Sequence, residues 1–379
     1  MASASTFSLS GPELAVTRHL LVHGPATRAD IGDRLRLSYA SMSRLTRALV
    51  NGGLIAADVE PESGVGRPRH ILSVIPSARH VVGCKLTADT AYAVVCDMFG
   101  EVLATAQTAL PAPTKDGTVP VAGTVKTIAQ LASRLGRRVP SLDGIGVSIG
   151  GIVANRAVVQ EGTFLGWRDV DLATAVRERT GLPVVVTNDV TALAREELWF
   201  GAGRTNATFG LITVGAGLGF GVVRDGAVVE ELIDNGHLLA HAPIDNRGPR
   251  CGLGHPGCAA AYLNHDDVAH QEPAFTSFEQ DHRAGATTRL DDAARALGHL
   301  AATFAGALQT TRIVLAGEDV AAIAESPAMT ETINERLRPG PDETQRCALD
   351  ITAANLTFTD WARGAAVAGV QNVLGALDA

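Results

Sequence analysis

The apolar and polar positions between residues 183 and 203 form the clearest pattern in the chain. The β-branched run 184–186 is too short for a helix and is typical of a strand covered on both faces. Asn188 and Asp189 follow it, and residues 190–200 carry apolar side chains at helical spacing before two glycines end the pattern. Because ligands bind at the carboxyl ends of strands in open α/β sheets, we expect both polar side chains to lie in a ligand site. The alternative is that they only cap the helix that follows.

Residues 1–75 show a different pattern, in which three short helices precede two strands. Apolar residues recur at helical spacing in three segments that are separated by Gly-Pro and Leu-Ser links. Two strand-like pieces, residues 54–59 and 70–74, bracket a turn rich in Gly, Pro and Arg. This order predicts a winged helix-turn-helix, whose third helix enters the major groove of DNA. The alternatives are a small helical domain with a solvated polar face and a protein-interaction module.

Arginine is unevenly distributed, which favours an anionic partner for the N-terminal segment. The chain of 379 residues has a formal net charge of −8, yet residues 1–75 hold eight arginines against six acidic residues. Short polar side chains and arginines on the third helix suit base edges and phosphates, and arginines at the wing suit phosphates or the minor groove. The predicted DNA contacts are Ser38, Tyr39, Ser41, Arg44, Arg47, Arg67 and Arg69.

From residue 80 onwards strands and helices alternate, which predicts an α/β body with mixed sheets. After residue 259 the pattern predicts helices, interrupted by one strand at 313–315. We place the DNA-binding domain at 1–76, a first lobe of the body at 77–190 and a second lobe at 191–379. Whether the two lobes are duplicates of one unit stays open.

Composition restricts the class of protein. The hydrophobic fraction is 46% and the charged fraction 19%, which is typical of a folded globular protein. No apolar run approaches the roughly 20 residues that a membrane-spanning helix requires, and the first residues lack the pattern of a secretion signal. We therefore expect a cytoplasmic protein without a membrane partner. Five scattered cysteines are too few for a disulfide framework in a chain of this length.

Several short motifs occur in an order and at spacings that are specific together, although each is weak alone. They are GRP at 66–68, the hairpin from Gly83 to Gly100, Asn188-Asp189, GAGLGFG at 215–221, Asp225-Gly226, His241, Cys251 with Cys258, and Ala316-Gly317. Through them the chain resembles the ROK family (repressors, open reading frames, kinases), and specifically its transcriptional regulators. The resemblance implies a winged helix-turn-helix followed by a two-lobed α/β body of the sugar-kinase-like, actin-like ATPase fold. The C-terminal helix of such a body completes its first lobe.

One departure from the family's kinases bears on catalysis. Those kinases hold ATP and Mg²⁺ through an Asp-x-Gly-x-Thr turn in the first hairpin, and the matching positions here are Lys85, Thr87 and Asp89. A cation thus replaces the carboxylate that organises the metal ion on which phosphoryl transfer depends. The resemblance gives Asp189 the role of general base in a kinase. We expect a binding domain without ATP or catalysis; the alternative is an active sugar kinase that carries a regulatory DNA-binding head.

The family's sugar-binding positions are only partly kept. Relatives hold sugar hydroxyls with the Asn-Asp pair, with the Glu and His of a Gly-Glu-x-Gly-His motif, and with a later Glu. Here Leu238 and Ala260 stand at the two Glu positions, so a site built for hydroxyls lacks two of its five polar side chains. His237 is an alternative contact, although a histidine in a loop is more often an ordinary polar residue. The predicted ligand-binding residues are Gly151, Asn188, Asp189 and His241.

The same region bears on metal binding. The resemblance implies a structural Zn²⁺ held by that histidine and by three cysteines in the order Cys-x-Cys-Gly-x-x-Gly-Cys. Here the run is CGLGHPGC, with Leu253 in place of the middle cysteine, which leaves His241, Cys251 and Cys258 as the predicted ligands. His255 could supply a fourth nitrogen if it reaches the site. The alternative is a metal-free loop with two buried thiols.

Together these expectations describe a DNA-binding transcriptional regulator, most simply a repressor. Such a protein would bind an inverted-repeat operator as a homodimer or homotetramer, because two-fold protein symmetry matches two half-sites. A sugar or sugar derivative would be the effector, biasing the closure of the lobes and thereby the spacing of the heads. A regulator that responds to a protein partner instead of a small molecule is the further alternative.

Overall fold

The computed structural model describes residues 9–60, 69–230, 237–337 and 348–377. The chain divides into two compact units, Met1–Phe200 with Phe358–Ala379, and Gly201–Thr357. The helix that begins at Asp189 belongs to the first unit, whereas the boundary placed at residue 190 from the sequence cuts through it. The division into domains at 1–76, 77–190 and 191–379 stays a prediction.

The head consists of three helices and a three-stranded sheet. Side-chain caps start its second and third helices: Thr27 Oγ1 accepts a hydrogen bond from Asp30 N at 3.2 Å, and Ser38 Oγ accepts one from Ser41 N at 3.2 Å. The strands pair antiparallel in the order β1-β3-β2. These elements confirm the predicted winged helix-turn-helix, with β1 as an unpredicted addition. They are α1 (Gly11–His23), β1 (Ala26–Thr27), α2 (Arg28–Leu35), α3 (Tyr39–Asn51), β2 (Ile55–Glu60) and β3 (Arg69–Val74).

The first sheet of the body is an antiparallel meander extended by two parallel strands. Its strands are β4 (Val81–Leu86), β5 (Thr90–Cys96), β6 (Val102–Ala109), β7 (Gly144–Ile149) and β11 (Val184–Asn188). They lie in the order β11-β7-β4-β5-β6, in which β7 is parallel to β4 and β11 is parallel to β7. A separate antiparallel sheet contains β8 (Ile152–Ala154), β9 (Val158–Gly162) and β10 (Trp167–Asp171).

Helices pack against both faces of the first sheet. They are α4 (Val121–Gly136), α5 (Leu172–Thr180), α6 (Asp189–Phe200) and α14 (Phe358–Leu374); α7 to α13 belong to the second unit. Because alternate residues of a strand point to opposite faces, Val82 and Cys84 of β4 share a buried core with Ile128 of α4, while Gly83 faces α14. A Cβ at Gly83 would lie 2.0 Å from the carbonyl oxygen of Ala362. The α14 backbone therefore lies directly on the backbone of the sheet.

The second unit repeats the strand order of the first sheet. Its strands are β12 (Phe209–Val214), β13 (Leu218–Arg224), β14 (Ala227–Val228), β15 (Arg312–Gly317) and β16 (Asp350–Asn355). They lie in the order β16-β15-β12-β13-β14; β12, β13 and β14 pair antiparallel, and β15 and β16 are parallel to β12. The two sheets thus have the same topology, a relation that the sequence leaves open.

The helices of the second unit enclose one large apolar core. Side chains of β12, β15 and α11 form its centre, and the Phe220 and Phe304 rings meet edge to face at 5.7 Å. Although α11 has 22 residues, no helix among the described residues is both long and apolar enough to cross a membrane. The helices are α7 (His237–Ala240), α8 (Ala259–Leu263), α9 (His265–Gln271), α10 (Phe278–Ala284), α11 (Thr287–Leu308), α12 (Val320–Ala324) and α13 (Pro327–Arg336).

The prediction of a single strand after residue 259 was wrong, because β16 follows β15. β16 lies at the edge of its sheet, and five of its six residues are exposed. Its sequence, DITAAN, contains no continuous apolar run, so the pattern that reveals a buried strand is absent from it.

Replacing Gly146 by alanine is expected to destabilise the first unit by about 1–3 kcal/mol or more, because overpacking forces the backbone apart. A Cβ at Gly146 would lie 1.8 Å from the carbonyl oxygen of Ala365 in α14. Urea unfolding followed by tryptophan fluorescence measures this effect, since all three tryptophans lie in the first unit. Gly11→Ala is the control, because a Cβ there would meet nothing within 4 Å. Equal unfolding midpoints for the two variants would contradict the close packing of α14.

Candidate effector site, metal cluster and DNA-binding face

Asn188 both caps α6 and holds the neighbouring loop. Its Oδ1 accepts hydrogen bonds from the backbone nitrogens of Val190 at 2.9 Å and Thr191 at 3.2 Å, and its Nδ2 donates to the carbonyl oxygen of Gly151 at 2.8 Å. Gly151 has φ +135°, and a Cβ there would lie 2.0 Å from the carbonyl oxygen of Glu161. Only glycine fits this position, so the loop can approach β9 closely. The structure therefore brings together Gly151, Asn188 and, one residue further, Asp189.

A buried ion pair joins Asp189 to Lys85 of β4. The lysine ammonium contacts Oδ2 of the aspartate, and the two side chains are 8% and 17% exposed. The ammonium also lies 5.6 Å from the centre of the Trp361 ring in α14, which is a cation–π distance. Removing one partner of a buried pair leaves an uncompensated charge at a cost of about 3–5 kcal/mol. The carboxylate that the resemblance assigns as a kinase's general base is thus already bound to a cation.

The sequence shows that Lys85 stands where the family's kinases have a carboxylate, but it does not show which residue pairs with Lys85. One feature of the sequence could have identified that residue. The chain has only three lysines, and the other two, Lys115 and Lys126, are exposed. A lysine in a strand of buried residues requires a carboxylate, because an unpaired ammonium is too costly to bury. Asp189 follows another buried strand, which makes it the natural candidate.

Further along α6, Glu196 forms a second ion pair, which is partly buried. Its Oε1 accepts a hydrogen bond from Arg363 of α14, while its Oε2 is buried without a hydrogen-bond partner among the described residues. Burial raises the pKa of Glu196 to about 7, although Arg363 acts in the opposite direction. Desolvation of the charged carboxylate therefore outweighs its attraction to the guanidinium. The sequence analysis did not single out Glu196.

In the second unit, the glycine-rich turn between β12 and β13 lies beside a carboxylate. A Cβ at Gly215 would lie 3.6 Å from the carboxyl carbon of Glu318. The turn is held by His265 N, which donates to the carbonyl oxygen of Gly215 at 3.1 Å, and by Asn264 Nδ2, which donates to that of Ala216 at 3.1 Å. A negative charge at this distance disfavours the approach of a phosphate to the turn.

Two positions that the resemblance assigns to sugar ligands carry no polar side chain here. Leu238 of α7 is 74% exposed, and Ala260 of α8 is buried in a small cluster with Cys251 and Cys258. His237 is described only as the first residue of α7.

Four side chains that can bind a metal ion converge in the second unit. His241, Cys251, His255 and Cys258 each offer one ligand atom, and all four atoms lie within 4.8 Å of one another. His241 Nδ1 lies 3.6 Å from Cys251 Sγ and 3.5 Å from Cys258 Sγ, and the two imidazole rings meet edge to face at 4.8 Å. Two thiols and two imidazoles are a ligand set of closed tetrahedral zinc sites. The structure thus brings His255 to the three predicted ligands.

Tight turns place His255 in this cluster. Gly254 N donates to the carbonyl oxygen of Cys251 at 2.7 Å, and Cys251 N donates to that of His255 at 3.1 Å. Gly254 has φ +87°, which favours glycine. Leu253, at the position of the missing cysteine, is 62% exposed and lies outside the ligand group. His255, two residues further along the loop, thus brings a fourth candidate ligand to the group.

The exposed face of α3 presents three of the predicted DNA contacts. Tyr39 is 81% exposed, and Arg44 and Arg47 are also exposed. Ser38 and Ser41 bond to each other instead, since Ser38 Oγ donates to Ser41 Oγ at 3.0 Å while it caps the helix. Their hydroxyls therefore fix the start of α3.

The predicted contacts in the wing are only partly described. Arg67 lies outside the described residues, and so does the GRP motif at 66–68. Arg69 is described only as the first residue of β3, where its backbone pairs with Glu60.

A winged helix-turn-helix joined to two sheets of one topology, with an Asn-Asp pair at the carboxyl end of a buried strand, defines the class: a DNA-binding head on a sugar-kinase-like body. The chain belongs to the ROK family, whose model matches residues 81–370. The resemblance inferred from the sequence is therefore confirmed.

Two curated relatives are named as regulators. The xylose repressor of Bacillus subtilis is 22% identical over 259 residues, which are 68% of this chain and 67% of the repressor. The DNA-binding transcriptional dual regulator NagC of Escherichia coli is 28% identical over 247 residues, which are 64% of this chain and 60% of NagC. The chain therefore spans about two thirds or less of the length of these relatives.

Solved structures confirm the predicted fold. A ROK family transcriptional regulator, a homologue of the E. coli MLC protein, matches with a TM-score of 0.74 at 22% identity over 96% of each chain. A ROK family glucokinase from Streptomyces griseus, in complex with glucose and AMPPNP, matches with a TM-score of 0.60 at 22% identity over 77% of this chain and 99% of the kinase. At these identities the similarity shows the fold alone.

Replacing Glu196 by glutamine is expected to change how stability depends on pH. The folded pKa of Glu196, about 7, lies above its ordinary value of 4.5, so its contribution is full below about pH 4.5 and is lost as pH rises towards 7. At about 1.4 kcal/mol per pKa unit, the wild type should lose about 2 kcal/mol relative to Glu196→Gln between pH 5.5 and 8. Urea unfolding at each pH, read by tryptophan fluorescence, measures the difference. Glu178→Gln, at an exposed site on α5, should keep the wild-type profile; the same profile for Glu196→Gln would refute the raised pKa.

Proposed function

We propose that the chain is a ROK-family DNA-binding transcriptional regulator, and most simply a repressor. The observation that carries the proposal is the winged helix-turn-helix, with Tyr39, Arg44 and Arg47 exposed on α3, joined to a sugar-kinase-like body. The names of the relatives, xylose repressor and transcriptional dual regulator, support it. The head is rich in arginine, whereas the rest of the chain is acidic. The phosphate backbone of DNA should therefore bind to the head.

The proposed partner is an inverted-repeat operator bound by a homodimer or homotetramer in the cytoplasm. A helix-turn-helix protein of two-fold symmetry reads two half-sites about one helical turn, or a multiple of it, apart. In this proposal residues 1–76 bind DNA, Tyr39, Arg44 and Arg47 contact bases or phosphates, and Ser38 and Ser41 fix the start of the recognition helix. Arg67 and Arg69 remain proposed contacts of the wing.

The proposed effector is a sugar or a sugar derivative. Gly151, Asn188 and Asp189 present a carbonyl, an amide and a carboxylate within one part of the first unit, and such groups bind hydroxyls. His241 remains a proposed ligand contact by resemblance to the family. Because Leu238 and Ala260 provide no carboxylate, we propose a ligand set that differs from that of the family's hexose kinases.

We propose further that the body does not transfer phosphoryl groups. Lys85 stands where the resemblance requires a metal-organising carboxylate, and it binds the carboxylate of Asp189 that would act as general base. Glu318 beside the glycine-rich turn adds a negative charge where a nucleotide phosphate would approach. ATP is therefore not a proposed ligand, although the fold is shared with kinases.

We propose that His241, Cys251, His255 and Cys258 hold one structural zinc ion. The two sulfurs and two nitrogens match the preference of Zn²⁺, and their mutual distances require only a small inward movement to reach tetrahedral coordination. A bound zinc would fix the loop and the imidazole of His241.

Replacing Arg44 by alanine is expected to weaken operator binding by about 1–3 kcal/mol, or roughly 5- to 150-fold, because a charge-assisted contact to DNA is lost. The measurement is a gel-shift titration on the DNA upstream of the coding sequence, at several salt concentrations, against a random duplex. Arg138→Ala is the matched control, since Arg138 is exposed on the body. Binding by the wild type that is no tighter than binding to the random duplex would contradict the proposed function.

Replacing His255 by alanine is expected to lower zinc affinity by about 10- to 100-fold or more, because one of four ligands is lost. Metal analysis after dialysis against a weak chelator should find about one zinc per wild-type chain and much less in the variant. The variant should also melt at a lower temperature when zinc is present. His270→Ala, at an exposed position of α9, is the control. Zinc retention by His255→Ala equal to that of the wild type would exclude His255 as a ligand.

A further inference from the structure

We propose that α6 couples the Lys85–Asp189 ion pair to the DNA-binding head. The path runs through the turn between β5 and β6, residues 97–101, and through the linker between the head and β4, residues 75–80. This inference rests on the proposed function and deepens it, because it names the path by which the state of the effector site would reach the head. All parts of this path lie in the first compact unit.

The first end of the path is the start of α6. Asp189 is the first residue of the helix, and Asn188 caps it through the backbone nitrogens of Val190 and Thr191. The side chains that present polar groups to a ligand therefore also fix the first turn of the helix. A ligand hydroxyl that displaces Lys85 from Asp189 changes the interactions of that turn, because a neutral hydroxyl then replaces the ammonium on the carboxylate that begins the helix.

The middle of α6 is tied firmly to α14. Glu196 accepts a hydrogen bond from Arg363, and Arg195 donates to Oε1 of Gln371 at 2.9 Å. The guanidinium of Arg363 also donates through Nε to the carbonyl oxygen of Gly100 at 2.7 Å. One arginine thus connects both α6 and α14 to the turn between β5 and β6. The 12 residues of α6, about 18 Å at 1.5 Å per residue, can therefore move only together with these contacts.

The second end of the path is an aromatic contact with that turn. The rings of Phe200, the last residue of α6, and Phe99 lie 6.4 Å apart between centroids. Asp97 stiffens the turn, since its Oδ1 accepts hydrogen bonds from Phe99 N at 2.8 Å and Glu101 N at 3.0 Å. A displacement of Phe200 is therefore passed to a turn that has little freedom to absorb it.

The turn is bonded to the linker of the head. Met98 N donates to the carbonyl oxygen of Pro76 at 3.0 Å, and Pro76 begins the short helical turn that follows β3. In addition, α6 contacts α1 of the head directly. The linker and α1 are thus the two places where the head meets the path. A ligand that binds more tightly when Lys85 is released from Asp189 shifts the population of conformations. The favoured conformation is the one in which the head has the position that accompanies the released lysine.

Hydrogen–deuterium exchange on the full chain tests the path without DNA or sugar. Lys85→Met removes the cation from Asp189, and Lys85→Met/Asp189→Asn removes both charges, so that the test does not depend on a buried unpaired carboxylate. Either variant should change amide exchange about fivefold or more at the start of α6, and also at the linker 75–80 and in α1. Lys126→Met, an exposed lysine on α4, should leave all these amides unchanged. Changes confined to residues around Lys85 and Asp189 in both variants would overturn the proposal.

A second pair of variants tests the contact at Phe99. In the Phe99→Ala background, the change that Lys85→Met causes at the linker should fall below about twofold, while the changes at the start of α6 and in α1, which α6 contacts directly, persist. In the Phe99→Leu background the change in amide exchange at the linker should return, because leucine still packs against Phe200. If the change at the linker is as large in the Phe99→Ala background as in the wild-type background, the proposed role of the turn is wrong.

The outcome is separable from that of the proposed function. If exchange changes reach the head while the upstream DNA is bound no better than a random duplex, the coupling stands and the proposed function fails. If the operator is bound specifically while no exchange change reaches the linker or α1, the proposed function stands and the coupling is wrong.

Discussion

The ion pair between Lys85 and Asp189 is the constraint on which the character of the first unit depends. Lys85 lies on β4 and Asp189 follows β11, so the pair ties the centre of the sheet to the start of α6. Trp361 of α14 lies beside the ammonium, and water has less access to the Lys85 side chain, which is 8% exposed, than to that of Asp189, which is 17% exposed. In a low-dielectric setting such a pair persists unless another polar group replaces one partner. In the function proposed above, the same pair opposes phosphoryl transfer and favours ligands that can satisfy a carboxylate.

In the second unit, the short helix α8 connects the candidate metal ligands to the glycine-rich turn. Cys258 directly precedes α8, and Asn264 and His265 directly follow it and bond to the glycine-rich turn. The five residues of α8 are largely buried, so the helix is held on the core, with the candidate metal ligand Cys258 at one end and the contacts to the glycine-rich turn at the other.

The sequence predicts those elements whose side chains repeat with a clear period. The helices of the head, β11 and the start of α6 follow from local patterns and caps. Lys85 and Asp189 are separated by 104 positions, and their contact depends on the strand order β11-β7-β4, which no local pattern encodes. The reach of His255 depends on a turn at Gly254 that needs a positive φ. The edge strand β16 escaped prediction because it buries too little to show a period.

The close packing of α14 on the first sheet has a consequence for the order of folding. Residues 201–357 separate this helix from the strands that it covers, so the ribosome completes the second unit before it makes α14. Until then Gly83 and Gly146 present bare backbone, and one face of the first sheet remains uncovered. Domains commonly fold as they emerge during synthesis. Here the first unit is the first to be started and the last to be completed. Protection of the nascent chain by a chaperone would matter most in the period before α14 is made.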